Sequence, residues 1–196
     1  MDETTKVIIA TLSGFIIAFF AEPVKNYFQN KSRLKNLKWG LYKELCDNYS
    51  WFRTITIQSN LPEYQKLPKE TFMANAATID QALRTEFYYQ TLKNELSLFY
   101  QLPETSYIHL LHRNIIMVQE AIKKTGESVT NDSEKMVRWI EGYCDTFALG
   151  LYNSNLDKEI VRKIVPSGSL KEMIRRGKAL AEKDQKEEEQ KIQLAA

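Results

Sequence analysis

The sequence predicts an all-α protein: a single N-terminal transmembrane helix, a cytoplasmic multi-helix bundle and a charged C-terminal tail. Three observations carry that reading. Val7 to Ala21 is a stretch of fifteen residues without a charge. From Pro23 to Lys43 there is no acid, against the six bases Lys25, Lys31, Arg33, Lys35, Lys38 and Lys43. Beyond that collar, apolar residues recur at helical spacings of three and four, and no alternating β-branched run is long enough to demand a strand. The boundaries expected are 1–24 for the anchor, 25–170 for the bundle (with the basic juxtamembrane collar at 25–43) and 171–196 for the tail.

Fifteen apolar residues are short for a span, because a hydrocarbon core of about 30 Å takes roughly 20 helical residues. The segment lengthens at both ends. Thr4 and Thr5 are tolerable at the interface, and Val24, Tyr27 and Phe28 carry apolar surface past Glu22 and Pro23. Lys6 and Lys25 can snorkel to the headgroups, and Tyr27 and Phe28 stand where an aromatic belt forms. A cleaved signal peptide fits less well. The leading residues Met-Asp-Glu-Thr-Thr-Lys are not basic, and Phe19 and Phe20 spoil the small-residue cleavage pattern before Ala21. A buried core helix of a soluble protein is the other alternative.

The flanks set an orientation. Positive charge gathers on the C-terminal side, so the expectation is a single-pass inner-membrane protein with its N-terminus outside and its C-terminus cytoplasmic. Two cysteines, Cys46 and Cys144, offer no disulfide framework. Within the span, Ala10, Gly14 and Ala18 form a small-residue stripe, which lets two helix backbones approach in lipid and predicts a homo-oligomer. Lys25, Lys31, Arg33, Lys35 and Lys38 are the expected contacts to anionic lipid, each base beside such a leaflet contributing about 1 kcal/mol.

The bundle is read helix by helix. Leu34, Leu37, Leu41, Leu45, Tyr49, Phe52 and Ile55 mark one buried face, which can run on from the span through Pro23. Leu61 to Pro68, with two prolines, breaks the pattern. A second stretch covers about Lys69 to Leu102, with a possible break near Thr78 to Asp80 and an apolar row at Tyr88, Leu92, Leu96 and Phe99. A third runs from Glu104 to Lys124 on the seam Ile108, Leu111, Ile115, Val118, Ile122, and Gly126 stops it. Asn131 with Glu134 resembles a capping box, ahead of Met136, Ile140, Tyr143, Phe147 and Leu151. A shorter helix carries Leu156, Ile160 and Ile164 and halts at Pro166. Lys171 to Lys191 holds seven bases and six acids, which predicts a solvated helix or a disordered tail, docked at its start through Met173, Ile174 and Leu180.

Chemistry is sparse. His109 and His112 lie three apart, yet no third metal ligand accompanies them, and helix packing is the commoner use of such a pair. Glu44, Asn48 and Glu95 sit on apolar faces, where polar groups line a pocket or, more often, bond between helices. Phosphate-loop, dinucleotide, zinc-protease, nucleophile-elbow and CxxC motifs are missing, so no catalytic, cofactor-binding or metal residue is assigned and no cofactor is expected. Net charge is +2, so the basic character is local to the collar and nucleic acid is a disfavoured partner. The expected partners are the lipid bilayer, a second copy, and a protein or small anionic ligand. The function expected is a membrane-anchored cytoplasmic helical module, not an enzyme, that recruits a protein partner. The alternative is an oligomeric membrane effector whose cytoplasmic domain senses an anionic ligand and whose span perturbs the bilayer.

Overall fold

The computed structural model describes residues 2–59, 82–124 and 129–195, without the side chains of 5–10, 16–18, 20, 55–59, 122–124, 129–137 and 193–195. The described residues are mostly helical and contain no strand: α1 (Glu3–Ser59), α2 (Glu86–Asn94), α3 (Leu96–Phe99), α4 (Thr105–Lys124), α5 (Val129–Tyr152), α6 (Lys158–Ile164) and α7 (Ser167–Ala195). The break expected at 61–68, the first part of the second helix and the stop at Gly126 lie outside the described residues.

Two compact units divide the chain, residues 1–38 and 39–196. In the first, α1 is helical straight through Pro23. Its large apolar side chains are in the open: Leu12, Phe15, Phe19, Val24, Tyr27 and Phe28 are 52 to 73% exposed. Lys25, Lys31, Arg33 and Lys35 are exposed too. Among the described residues, however, no helix is long and apolar enough to cross a membrane. The transmembrane helix expected at 1–24 is therefore present as helix and not as an established span.

The second unit is built on the C-terminal part of α1. Leu41, Leu45, Tyr49 and Phe52 are buried, as their spacing predicts, and Tyr42 and Cys46 are buried beside them. From α4 the seam residues Ile108, Leu111, Ile115 and Val118 are fully buried, and from α5 so are Tyr143, Cys144, Phe147, Ala148 and Leu151. Helix α5 packs against both α4 and α7. Aromatic rings interlock across this core. Phe52 meets Tyr143 edge-on at 5.0 Å, and Tyr49 meets Phe147 at 5.0 Å. The Tyr143 hydroxyl donates to the Leu45 carbonyl at 2.8 Å, so this polar tip in the aromatic layer has a partner.

Three details depart from the periodic reading, each because a helix starts or stops where periodicity alone does not say. The row Tyr88–Leu92–Leu96–Phe99 is interrupted at Glu95, whose backbone leaves the helical region (φ −134, ψ 27). The interruption resets the phase, so Leu96 turns outward at 45% exposure while Leu98 and Phe99 go in. In α6, Asp157 caps the first turn, its Oδ1 accepting from Glu159 N–H at 3.0 Å and Ile160 N–H at 3.2 Å. That start puts Val161 and Val165 in the core, and Ile160 and Ile164 at its margin. Finally, α5 begins at Val129, so Asn131 lies inside the helix and not at its cap.

The tail is helix. Leu170, Met173 and Gly177 of α7 are buried, whereas 182–192 are exposed throughout. At Gly177, α7 approaches α5 closely, because a Cβ there would run into the Ala148 carbonyl. Two ion pairs hold this docked half: Arg176 to Asp145 at 2.5 Å, and Arg53 to Glu172.

Candidate functional site

The polar groups buried in this unit centre on Glu44, which is 6% exposed. Helix α2 begins at Glu86, and its N-cap residue, Thr85, makes no side-chain capping bond. The orphan N–H groups of the first turn therefore need another acceptor. Glu44 supplies it from α1: its Oε2 accepts from Phe87 N–H at 2.9 Å and its Oε1 from Tyr88 N–H at 3.1 Å. A carboxylate at that end also suits the helix dipole.

The same Oε1 meets Nε2 of the fully buried His112 at 3.0 Å. The other ring nitrogen, Nδ1, faces the Ile108 carbonyl at 2.9 Å and must carry a proton to bond it. Nε2 and Oε1 are within hydrogen-bond distance, so the two buried side chains partner each other. The Tyr88 ring stacks on the His112 imidazole, 4.0 Å apart and within 10° of parallel. Burial pushes the Tyr88 phenol up from 10.0 to about 12, so it keeps its proton, and its hydroxyl bonds Nδ1 of His109 at the surface.

One turn along α1, Asn48 is fully buried and grips a single residue of the facing segment. Its Nδ2 donates to the Arg84 carbonyl at 2.7 Å, and its Oδ1 accepts from Arg84 N–H at 2.9 Å. Tyr42 does a similar task at the other end. Its hydroxyl donates to the buried Glu104 at 3.0 Å and accepts from Asp157 N–H at 2.6 Å. Burial, the largest influence, pushes the Tyr42 phenol well up, which keeps it a donor to Glu104.

These networks are closed. Glu44, His112 and Asn48 bond protein groups with both polar ends, and no activated nucleophile stands among them. Bonding between helices describes Glu44, whereas Asn48 bonds the non-helical segment that precedes α2. Glu95 instead stands at the break between α2 and α3, its N–H on the Thr91 carbonyl at 2.8 Å. Among the described residues no three His, Cys, Asp or Glu side chains are grouped to hold a metal ion. Cys46 and Cys144 are free thiols, both buried.

An open cleft of about 450 Å³ adjoins the Asn48 clamp, lined by Asp47, Ser50, Trp51, Thr54 and Arg84. Four of these lie on one face of α1, opposite the Leu45–Tyr49–Phe52 core face. None was singled out as a site from sequence. A polar helical stripe around Trp51 was readable there, whereas Arg84 reaches it only through tertiary pairing with Asn48.

Of the residues expected to act at a membrane, Gly14 is exposed, and a Cβ built on it meets nothing within 4 Å. The side chains of Ala10 and Ala18 lie outside the described residues. Lys38 is half-buried, unlike Lys25, Lys31, Arg33 and Lys35. No protein-family profile, characterised protein or solved structure matches this chain.

Proposed function

We propose that the chain is a membrane-anchored module whose helical unit, residues 39–196, works at the cytoplasmic face and binds a protein partner there. The observation that carries this reading is the exposed apolar row Leu12, Phe15, Phe19, Val24, Tyr27 and Phe28, followed on the same helix by an acid-free basic collar. Apolar surface of that extent in water calls for a cover. A bilayer covers the apolar row and attracts the exposed Lys25, Lys31, Arg33 and Lys35 together. The self-satisfied core network supports a binding role over an enzymatic one, because its polar groups bind protein and leave none for a substrate.

Fractionation tests the anchor. Full-length protein should stay in membranes through a carbonate wash, and a C-terminal reporter should be active in the cytoplasm. Release by carbonate would remove the span, and a reporter active on the far side would reverse the orientation.

Self-association through Ala10, Gly14 and Ala18, as an effector requires, is the second reading. The open space at Gly14 favours it, since a neighbouring helix backbone has room to approach there. Crosslinking in membranes should weaken for Gly14→Ile and persist for Phe15→Leu. Ion leakage on expression of the full chain then separates a pore from a dimeric anchor.

A further inference from the structure

We propose that the cleft between α1 and Arg84 binds a small molecule that joins a flat nitrogen heterocycle to an anionic group, the chemistry of a nucleotide. The site is independent of the membrane reading, because every residue in it belongs to the 39–196 unit.

Each wall has a definite chemistry. Trp51 offers an indole face, 43% exposed, on which a flat ring can stack. The Ser50 hydroxyl donates to the Cys46 carbonyl at 3.0 Å, and the Thr54 hydroxyl to the Ser50 carbonyl at 3.0 Å. With those protons committed, both oxygens present only lone pairs to the cleft. Asp47 is an acceptor as well, and Lys43 at 3.0 Å offsets its charge. A ligand edge that fits these three must therefore donate hydrogen bonds, and on a flat ring that can stack on Trp51 the amino and ring N–H groups of bases do so. Arg84 is the complement: among the described residues its guanidinium has no hydrogen bond or ion pair. Arginine's planar fork is suited to phosphate or carboxylate.

The geometry is also held in advance. Asn48 fixes the Arg84 backbone through both its N–H and its carbonyl, and Glu44 fixes the N–H groups of Phe87 and Tyr88 just beyond. Buried polar side chains thus set the backbone of Arg84 against α1 before any ligand arrives, which lowers the part of the ordering cost that the backbone would bear. About 450 Å³ is within the usual range for small-molecule sites.

Calorimetry on the full chain in mild detergent tests this with AMP, GMP, CMP and UMP, and with adenosine and inorganic phosphate as fragments. At least one nucleotide should bind saturably, and the matching fragments should bind at least about tenfold more weakly. Arg84→Gln and Trp51→Ala should each weaken binding about tenfold or more. Both variants should melt like wild type, because Asn48 holds the backbone of Arg84 and Trp51 is half-exposed. Thr54→Val, which keeps the shape and removes one acceptor, should weaken binding of the nucleotide and leave phosphate unaffected. No binding of any of the four at about 1 mM, or equal affinity in Arg84→Gln, overturns the site. Phosphate binding as tight as nucleotide overturns the ring subsite. None of these outcomes depends on whether the carbonate wash releases the protein.

Discussion

Glu44 and His112, 68 positions apart in sequence, meet in the core with Oε1 and Nε2 3.0 Å apart, and the same carboxylate caps the first turn of α2. One side chain thereby ties α1, α2 and α4 together.

Glu44→Gln keeps the shape but removes a carboxylate oxygen, leaving an α2 N–H without an acceptor and disturbing the contact to His112. The expected loss is about 2–4 kcal/mol of unfolding free energy, because a buried donor loses a charged acceptor. That corresponds to a melting point lower by roughly 5–15 °C for a domain of this size, read by circular dichroism. A variant that melts with wild type would show that the pair is dispensable.

Asn48→Ala should cost about 2–3 kcal/mol, because both backbone groups of Arg84 lose their partner in a buried setting. Asn48→Asp should be worse than its small change implies. The aspartate still accepts from Arg84 N–H but offers no donor to the Arg84 carbonyl. Denaturant titrations measure both, and either variant unfolding with wild type would contradict the clamp.

Two glycine substitutions should separate cleanly. Gly177→Ala puts a methyl into the Ala148 backbone carbonyl, which cannot rotate away, so α7 must shift at a cost of about 1–3 kcal/mol. Gly142→Ala meets nothing within 4 Å inside α5 and should be neutral or stabilising by up to about 1 kcal/mol. Thermal melts that order them the other way would refute the close α5–α7 approach.

Ile115→Asp buries an unpaired charge at a fully buried position and should abolish cooperative melting. Wild-type melting of this variant would mean that the seam of α4 does not face the core.

Alkaline stability follows from groups that the fold keeps protonated. Burial pushes the Cys46 thiol from 9.0 to about 12, and the Tyr49 phenol from 10.0 to about 12. Between those values the unfolded chain has released protons that the folded chain still holds. Their contribution is whole below pH 9.0 and is lost as pH rises toward about 12. Unfolding midpoints should fall over that window, with Tyr absorbance showing late, cooperative ionisation. Early titration of every tyrosine in the native protein would contradict the buried assignments.

The all-helical class and the core faces of α1, α4 and α5 were legible in sequence, because burial on one side of a helix imprints a local spacing. Ile108, Leu111, Ile115 and Val118 show it directly. Phase is different once a helix breaks. The interruption at Glu95 turned Leu96 outward, and the Asp157 cap placed Val161 and not Ile160 in the core. Those outcomes depend on where backbone hydrogen bonds end, which a periodic pattern does not encode.

The apolar segment Val7–Ala21 and the acid-free collar are facts of sequence alone, because they need only neighbours in the chain. The tertiary structure alone decided that Glu44 caps α2, that Asn48 grips Arg84 and that α7 docks at Gly177. It likewise decided that Arg84 and Trp51 line one cleft. Each of these joins groups tens of residues apart. Their meeting is set by how whole helices pack, and no local spacing carries that information.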